Sequence, residues 1–108
     1  MPDRYLMVMT TTGAREDADR LARSLVEDRL AACVQVLGPI ASTYRWQGQV
    51  ETAEEWLCLI KTTAGRFDAL AAHVDAHHNY DTPELTAVAI SDGSARYLAW
   101  VSGETGGA

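Results

Sequence analysis

The sequence predicts an α+β domain in which strands and helices follow the order βαββαβ, closed by a short C-terminal helix. Three observations carry the prediction. Ala18, Leu21, Ala22 and Leu25 recur at i, i+3, i+4, i+7, and Phe67, Leu70, Ala71 and Val74 repeat that helical spacing later in the chain. Around these two stripes lie β-branched and aromatic runs bounded by Gly, Pro and Thr, as strands are. A Gln47-Gly48 pair divides the longest of these runs, which marks a tight hairpin.

The elements follow in order. Residues 4–10 form a short β-favouring run that stops at Thr11, Thr12 and Gly13. A helix over about residues 14–29 comes next, with Glu16 and Asp17 in its first turn, where the helix dipole favours acid. Ala32 to Tyr44 reads as extended, with Val34 and Val36 on one face. Gly38-Pro39 interrupts it, because proline cannot donate to a ladder, so a bulge, a bend or an edge position is expected there. The return strand covers about 50–61, and Thr62 or Thr63 is placed to cap a second helix over about 64–77. Pro83 precedes a last strand at 85–90, and residues 96–101 form a short helix. The domain is expected to span 1–102, with the Gly/Thr-rich residues 103–108 as a flexible tail.

This order is the split βαβ, or ferredoxin-like, arrangement: an antiparallel sheet with both helices on one face. Tyr44, Trp46, Val50, Trp56 and Leu57 then give the middle strands more apolar surface than two short helices can cover. A symmetric homo-oligomer is the simplest way to bury the rest.

Composition excludes several functions. The chain has 108 residues, 47% hydrophobic and 22% charged, which suits one folded domain. Its net charge is −6 and its basic residues are scattered, so it lacks the concentrated basic face that binds nucleic acid. Anionic membrane surfaces are disfavoured for the same reason. Tyr5 to Met9 is too short for a signal-peptide core or a membrane span. Cys33 and Cys58 sit in apolar runs that suit buried, reduced thiols. A cytoplasmic protein is therefore expected.

Five fragments now line up with a known family. They are Leu30-Ala31-Ala32-Cys33-Val34, Tyr44-x-Trp46-x-Gly48-x-Val50-Glu51, Ile60-Lys61-Thr62, His78-x-Tyr80-x-x-Pro83-Glu84 and Tyr97-Leu98-x-Trp100. In this order and spacing the chain resembles the divalent-cation-tolerance (CutA) family over nearly its whole length. The resemblance implies a compact homotrimer in which long strands of neighbouring subunits pair edge to edge, binding of copper (Cu²⁺) or other divalent cations, and no catalytic activity. It also implies His77 and His78 as copper ligands. Met9 stands where some members carry a ligating cysteine, and a thioether there would suit Cu(I) better than Cu(II). Asn79 and Asp81 replace residues usual in the His-x-Tyr motif, Asn79 standing where the family has proline.

The residues themselves bear on this chemistry. His73 and His77 are four apart, a spacing that places two imidazoles on one helix face, and Asp75, Asp81 and Glu84 lie nearby as oxygen donors. Histidines also sit at surface helix ends simply to favour the dipole. Trp46, Tyr44 and Trp56 are read as subunit packing rather than as a platform for bases, since only Arg45 lies among them. Lys61 is read as pairing with an acid such as Glu84. No nucleophile, phosphate-loop or metalloprotease motif is present. The expected function is a homotrimeric metal buffer, the alternative a PII-like signalling or scaffold trimer that binds a small ligand or a protein.

Overall fold

The computed structural model describes residues 4–106. The elements are β1 (Tyr5–Thr12), α1 (Arg15–Glu27), β2 (Cys33–Trp46), β3 (Gln49–Thr63), a 3₁₀ turn (Ala64–Arg66), α2 (Phe67–His77), β4 (Thr86–Ile90) and α3 (Ala95–Glu104). Strand pairing is antiparallel throughout, in the order β2-β3-β1-β4. That is the expected ferredoxin-like order, with β1 and β3 central and β2 and β4 at the edges.

Register decides which side chains meet the helices. Val8 lies opposite Ile60, and Thr10 opposite Cys58. These strand residues pack with Ala18, Leu21 and Leu25 of α1 and Leu70 and Val74 of α2 into one buried core. Burying each large aliphatic side chain there contributes about 1.5–3 kcal/mol. Cys58 is sealed in this core, and burial, aided by the Asp19 charge, pushes its thiol up to about 11, so it stays protonated at neutral pH.

The helix ends depart from expectation. Thr63 holds the N-cap position of the 3₁₀ turn but makes no capping hydrogen bond through its side chain. Thr62 instead donates its hydroxyl to the Leu30 carbonyl at 2.7 Å, tying the end of β3 to the segment that leaves α1. The tail assignment also changes. Helix α3 continues through Glu104, and Thr105 is buried. The Thr105 hydroxyl donates to the Val101 carbonyl at 2.8 Å, while Arg66 Nε donates to the Thr105 carbonyl at 2.6 Å. Only the last part of the expected flexible tail, residues 107–108, lies outside the described residues.

The β2–β3 hairpin is the longest feature. Gln47 and Gly48 both adopt positive φ (50° and 79°), the two-residue geometry that matches the natural twist of a hairpin. Between Leu37 and Ile40 the register shifts. Leu37 faces Leu57 and Ile40 faces Glu55, so β2 carries one extra residue, a bulge at Gly38-Pro39, whose peptide bond is cis. β1 ends opposite Trp56, so from Gln49 to Glu55 β3 has β2 as its only pairing partner. The hairpin therefore projects as a two-stranded arm, and the molecule measures 46 × 25 × 21 Å.

Replacing Leu70 by Ala should lower unfolding free energy by about 2–5 kcal/mol, because the fully buried side chain leaves a cavity between α2 and the sheet. Urea titration at fixed protein concentration measures the loss.

Candidate functional site

The three histidines separate into two arrangements. His73 and His77, one turn apart on α2, stack with ring centroids 4.1 Å apart and planes 20° from parallel. His73 bridges the two helices: its Nε2 lies 2.8 Å from the Ser24 hydroxyl, and its Nδ1 lies 3.6 Å from the Asp28 carboxylate. Its side chain is only 9% exposed. Burial lowers its pKa from the usual 6.5, the neighbouring His77 lowers it further, and Asp28 opposes them. His77 donates Nδ1–H to the His73 carbonyl at 2.8 Å, which leaves Nε2 as the atom with a lone pair.

His78 is used differently. Its Nε2–H donates to the Thr11 carbonyl at 2.6 Å, and its Nδ1 accepts the Tyr80 backbone N–H at 3.1 Å. Both ring nitrogens are thus engaged. The residue that the family resemblance paired with His77 is a staple holding the loop after α2 to the end of β1. Met9 lies within the sheet. It is flanked by Leu59 and Thr86 and has the opposite pleat to Val8, so its thioether lies on the sheet face away from α1 and α2. The sheet stands between Met9 and His77. Among the described residues, no group of three or more His, Cys, Asp or Glu side chains is placed to hold a metal ion.

Beyond His78 the chain builds one wall of a cleft. Asn79 donates to Asp17 at 3.2 Å, and the Tyr80 hydroxyl donates to Glu55 Oε2 at 2.9 Å. A side chain on Gly13 would bring its Cβ within 2.9 Å of the Tyr80 hydroxyl, so the missing side chain there lets the ring lie against the end of β1. Burial, then the hydrogen bond to Glu55 and the charge of Glu55, push the Tyr80 phenol up to about 12. The opposite wall is the hairpin arm, with Ser42, Tyr44, Trp46 and Glu51, and the cleft encloses about 830 Å³.

Sequence reasoning did not anticipate Glu55. It stands in the acid-rich part of β3 with Glu51 and Glu54, and the contact that marks it out comes from Tyr80, 25 positions later in the chain. Three other expectations change. Lys61 donates to Gln35 on the adjacent strand rather than pairing with Glu84. Cys33 is half-buried and meets the Tyr97 hydroxyl of α3, so it is not sealed in the core. Trp56 lies against the helix-side core rather than adding to the uncovered surface.

Known proteins share this fold. A family model described as CutA1 divalent ion tolerance protein matches residues 6–104. A chloroplastic CutA of Arabidopsis thaliana is 41% identical over 100 residues, which are 93% of this chain and 55% of the relative, so the chain spans about half of that protein. A divalent-cation tolerance protein CutA of Thermus thermophilus is 43% identical over 93% of this chain and 97% of its own length. The crystal structure of CutA1 from Oryza sativa superposes with a TM-score of 0.92 at 41% identity, covering 94% of both chains.

Two predictions follow from the geometry. Because His73 has a folded-state pKa below its unfolded value, the unfolded chain binds more protons between those two values. In chelator-treated protein its contribution should be fully present above pH 6.5 and decline as pH falls from 6.5 through the lowered value; a His73→Gln variant should show a flatter urea midpoint against pH. Removing the Tyr80 hydroxyl with Tyr80→Phe should destabilise by about 1–3 kcal/mol, because it leaves Glu55 without its donor.

Proposed function

The chain belongs to the CutA1 divalent ion tolerance protein family, and from that premise we propose that it binds divalent cations, copper foremost, as a homotrimeric buffer without turnover. The observation that carries the metal reading is the stacked His73–His77 pair. His77 Nε2 is directed away from its internal hydrogen bond, and imidazole nitrogen is a good donor for Cu²⁺. His73 lies one turn away and supplies a second imidazole once its ring leaves the Ser24 hydroxyl. Two ligands completed by water make an exchangeable site, which suits buffering better than permanent storage. His78 supports the loop in this reading and takes no part in the coordination.

Support for a trimer comes from the surface the helices leave open. The sheet face opposite α1 and α2 carries Leu37 and Val88, each 45% exposed, together with half-buried Met7, Met9 and Leu59. Helix α3 reaches this side, where the Tyr5 hydroxyl meets Ser102 Oγ at 2.7 Å, but it leaves Tyr97 and Trp100 exposed. The arm adds a second reason. A two-stranded ribbon is marginal in water, and the unpaired edge of β3 from Gln49 to Glu55 offers backbone groups to a neighbouring strand. Two free cysteines, Cys33 and Cys58, fit a reducing compartment such as the cytoplasm.

Titration calorimetry with Cu²⁺ tests the site. Wild type should bind, His77→Ala should lose most of the heat, His73→Ala should lose part, and His78→Ala should retain binding while loosening the loop. Loss confined to His78→Ala would return the site to the pairing first implied by the family. Sedimentation equilibrium should give three times the 11.8 kDa chain mass, and a Leu37→Asp/Val88→Asp variant should not assemble.

A further inference from the structure

The seam between α1 and α2 holds a hydroxyl with one proton and two acceptors in reach. Ser24 Oγ lies 2.8 Å from His73 Nε2 and 3.0 Å from the Leu21 carbonyl oxygen. Leu21 and Leu25 are one turn apart inside α1, so the helix ladder already gives that carbonyl the Leu25 N–H. The carbonyl is satisfied whichever way the hydroxyl turns, and the proton is free to serve His73.

Which nitrogen of His73 carries hydrogen decides whether the hydroxyl can donate to it. A neutral imidazole has one N–H and one lone pair. Burial, and then His77, favour the neutral form of this ring. Asp28 Oδ2 stands 3.6 Å from Nδ1, too far for a direct hydrogen bond but close enough for its charge to act. A lone pair on Nδ1 would face that carboxylate, whereas an N–H there is attracted by it. The carboxylate thus favours hydrogen on Nδ1 and leaves the lone pair on Nε2, where the Ser24 hydroxyl donates. His77 has the same form, since its Nδ1–H is committed to the His73 carbonyl. Both stacked rings then offer Nε2.

We propose that Asp28 and Ser24 are positioning residues for the imidazole pair: Asp28 sets the tautomer of His73, and the Ser24 hydroxyl is a detachable cap on its Nε2 lone pair. This role rests on the copper reading of His73 and His77 and adds the regulation of that site. Metal-binding histidines commonly hold a carboxylate against their second ring nitrogen, and Asp28 has that place here. Uncapping costs one hydrogen bond, and the hydroxyl then turns fully to the Leu21 carbonyl, so no buried donor is orphaned. A cap released at so small a cost lowers affinity without closing the site, as an exchangeable buffer requires.

Two measurements on the full chain test this role. Long-range nitrogen–proton correlation spectra of the metal-free protein, assigned with His73→Gln and His77→Gln, read the ring nitrogens at neutral pH. His73 should carry its hydrogen on Nδ1, and Asp28→Ala should raise the share of the Nε2–H form. Hydrogen on Nε2 in wild type, or an unchanged spectrum in Asp28→Ala, overturns the tautomer assignment. Calorimetry with Cu²⁺ reads the cap. Ser24→Ala should bind about fivefold more tightly than wild type, the value of one ordinary hydrogen bond. Ser24→Thr keeps the hydroxyl and should bind as wild type does. Far-UV circular dichroism checks that the variants are folded. Wild type without saturable Cu²⁺ heat overturns the copper reading itself, whereas binding in wild type with no gain in Ser24→Ala overturns the cap alone.

Discussion

The antiparallel pairing of β2 with β3, and the single extra residue it carries, governs much else in this protein. A strand presents alternate residues to opposite faces, so one inserted residue exchanges the faces of everything beyond it. Before the bulge, Val34 and Val36 face the helices and join the core. After it, Ile40 is opposite Glu55, Ser42 opposite Ala53 and Tyr44 opposite Glu51. Residues of the same parity as Val34 thereby turn to the other face. The bulge therefore lets one strand serve the core at one end and the cleft at the other.

A second constraint acts on the far wall of the cleft. The loop after α2 is a run of polar residues and proline with no regular structure, and it is held by local hydrogen bonds. His78 fixes its start against the Thr11 carbonyl, Asn79 binds Asp17, and Tyr80 closes onto Glu55. Each bond alone contributes on the order of 1 kcal/mol. Together they orient the loop across the end of β1. Asn79 contributes a side-chain contact that tethers the loop to Asp17 of α1.

The α1–α2 seam and the cleft differ in their chemistry. At the α1–α2 seam, two imidazoles are stacked, and burial favours the neutral form of His73. In the cleft, a buried carboxylate and aromatic faces provide negative potential without convergent metal geometry. Both adjoin the segment from His77 to Tyr80, where the helix ends and the loop begins. The uncovered sheet face lies on the opposite side of the sheet from α2 and its exposed His77.

Much of this was legible in the residues alone. Helical spacing located α1 and α2, Gln47-Gly48 located the hairpin, and Gly38-Pro39 announced the irregularity in β2, because each is a local signal tied to backbone chemistry. The five ordered fragments sufficed to point to the family. Site membership was not legible in this way. Whether His78 has a free nitrogen depends on Thr11, 67 positions earlier in the chain. Whether Met9 can meet His77 depends on which side of the sheet it faces, and the hydrogen bond that engages Glu55 comes from Tyr80, 25 positions later in the chain. Local pattern fixes which elements form; the pairing of distant backbone groups decides which side chains share a space, and in this protein that pairing gives His77, His78 and Met9 different surroundings.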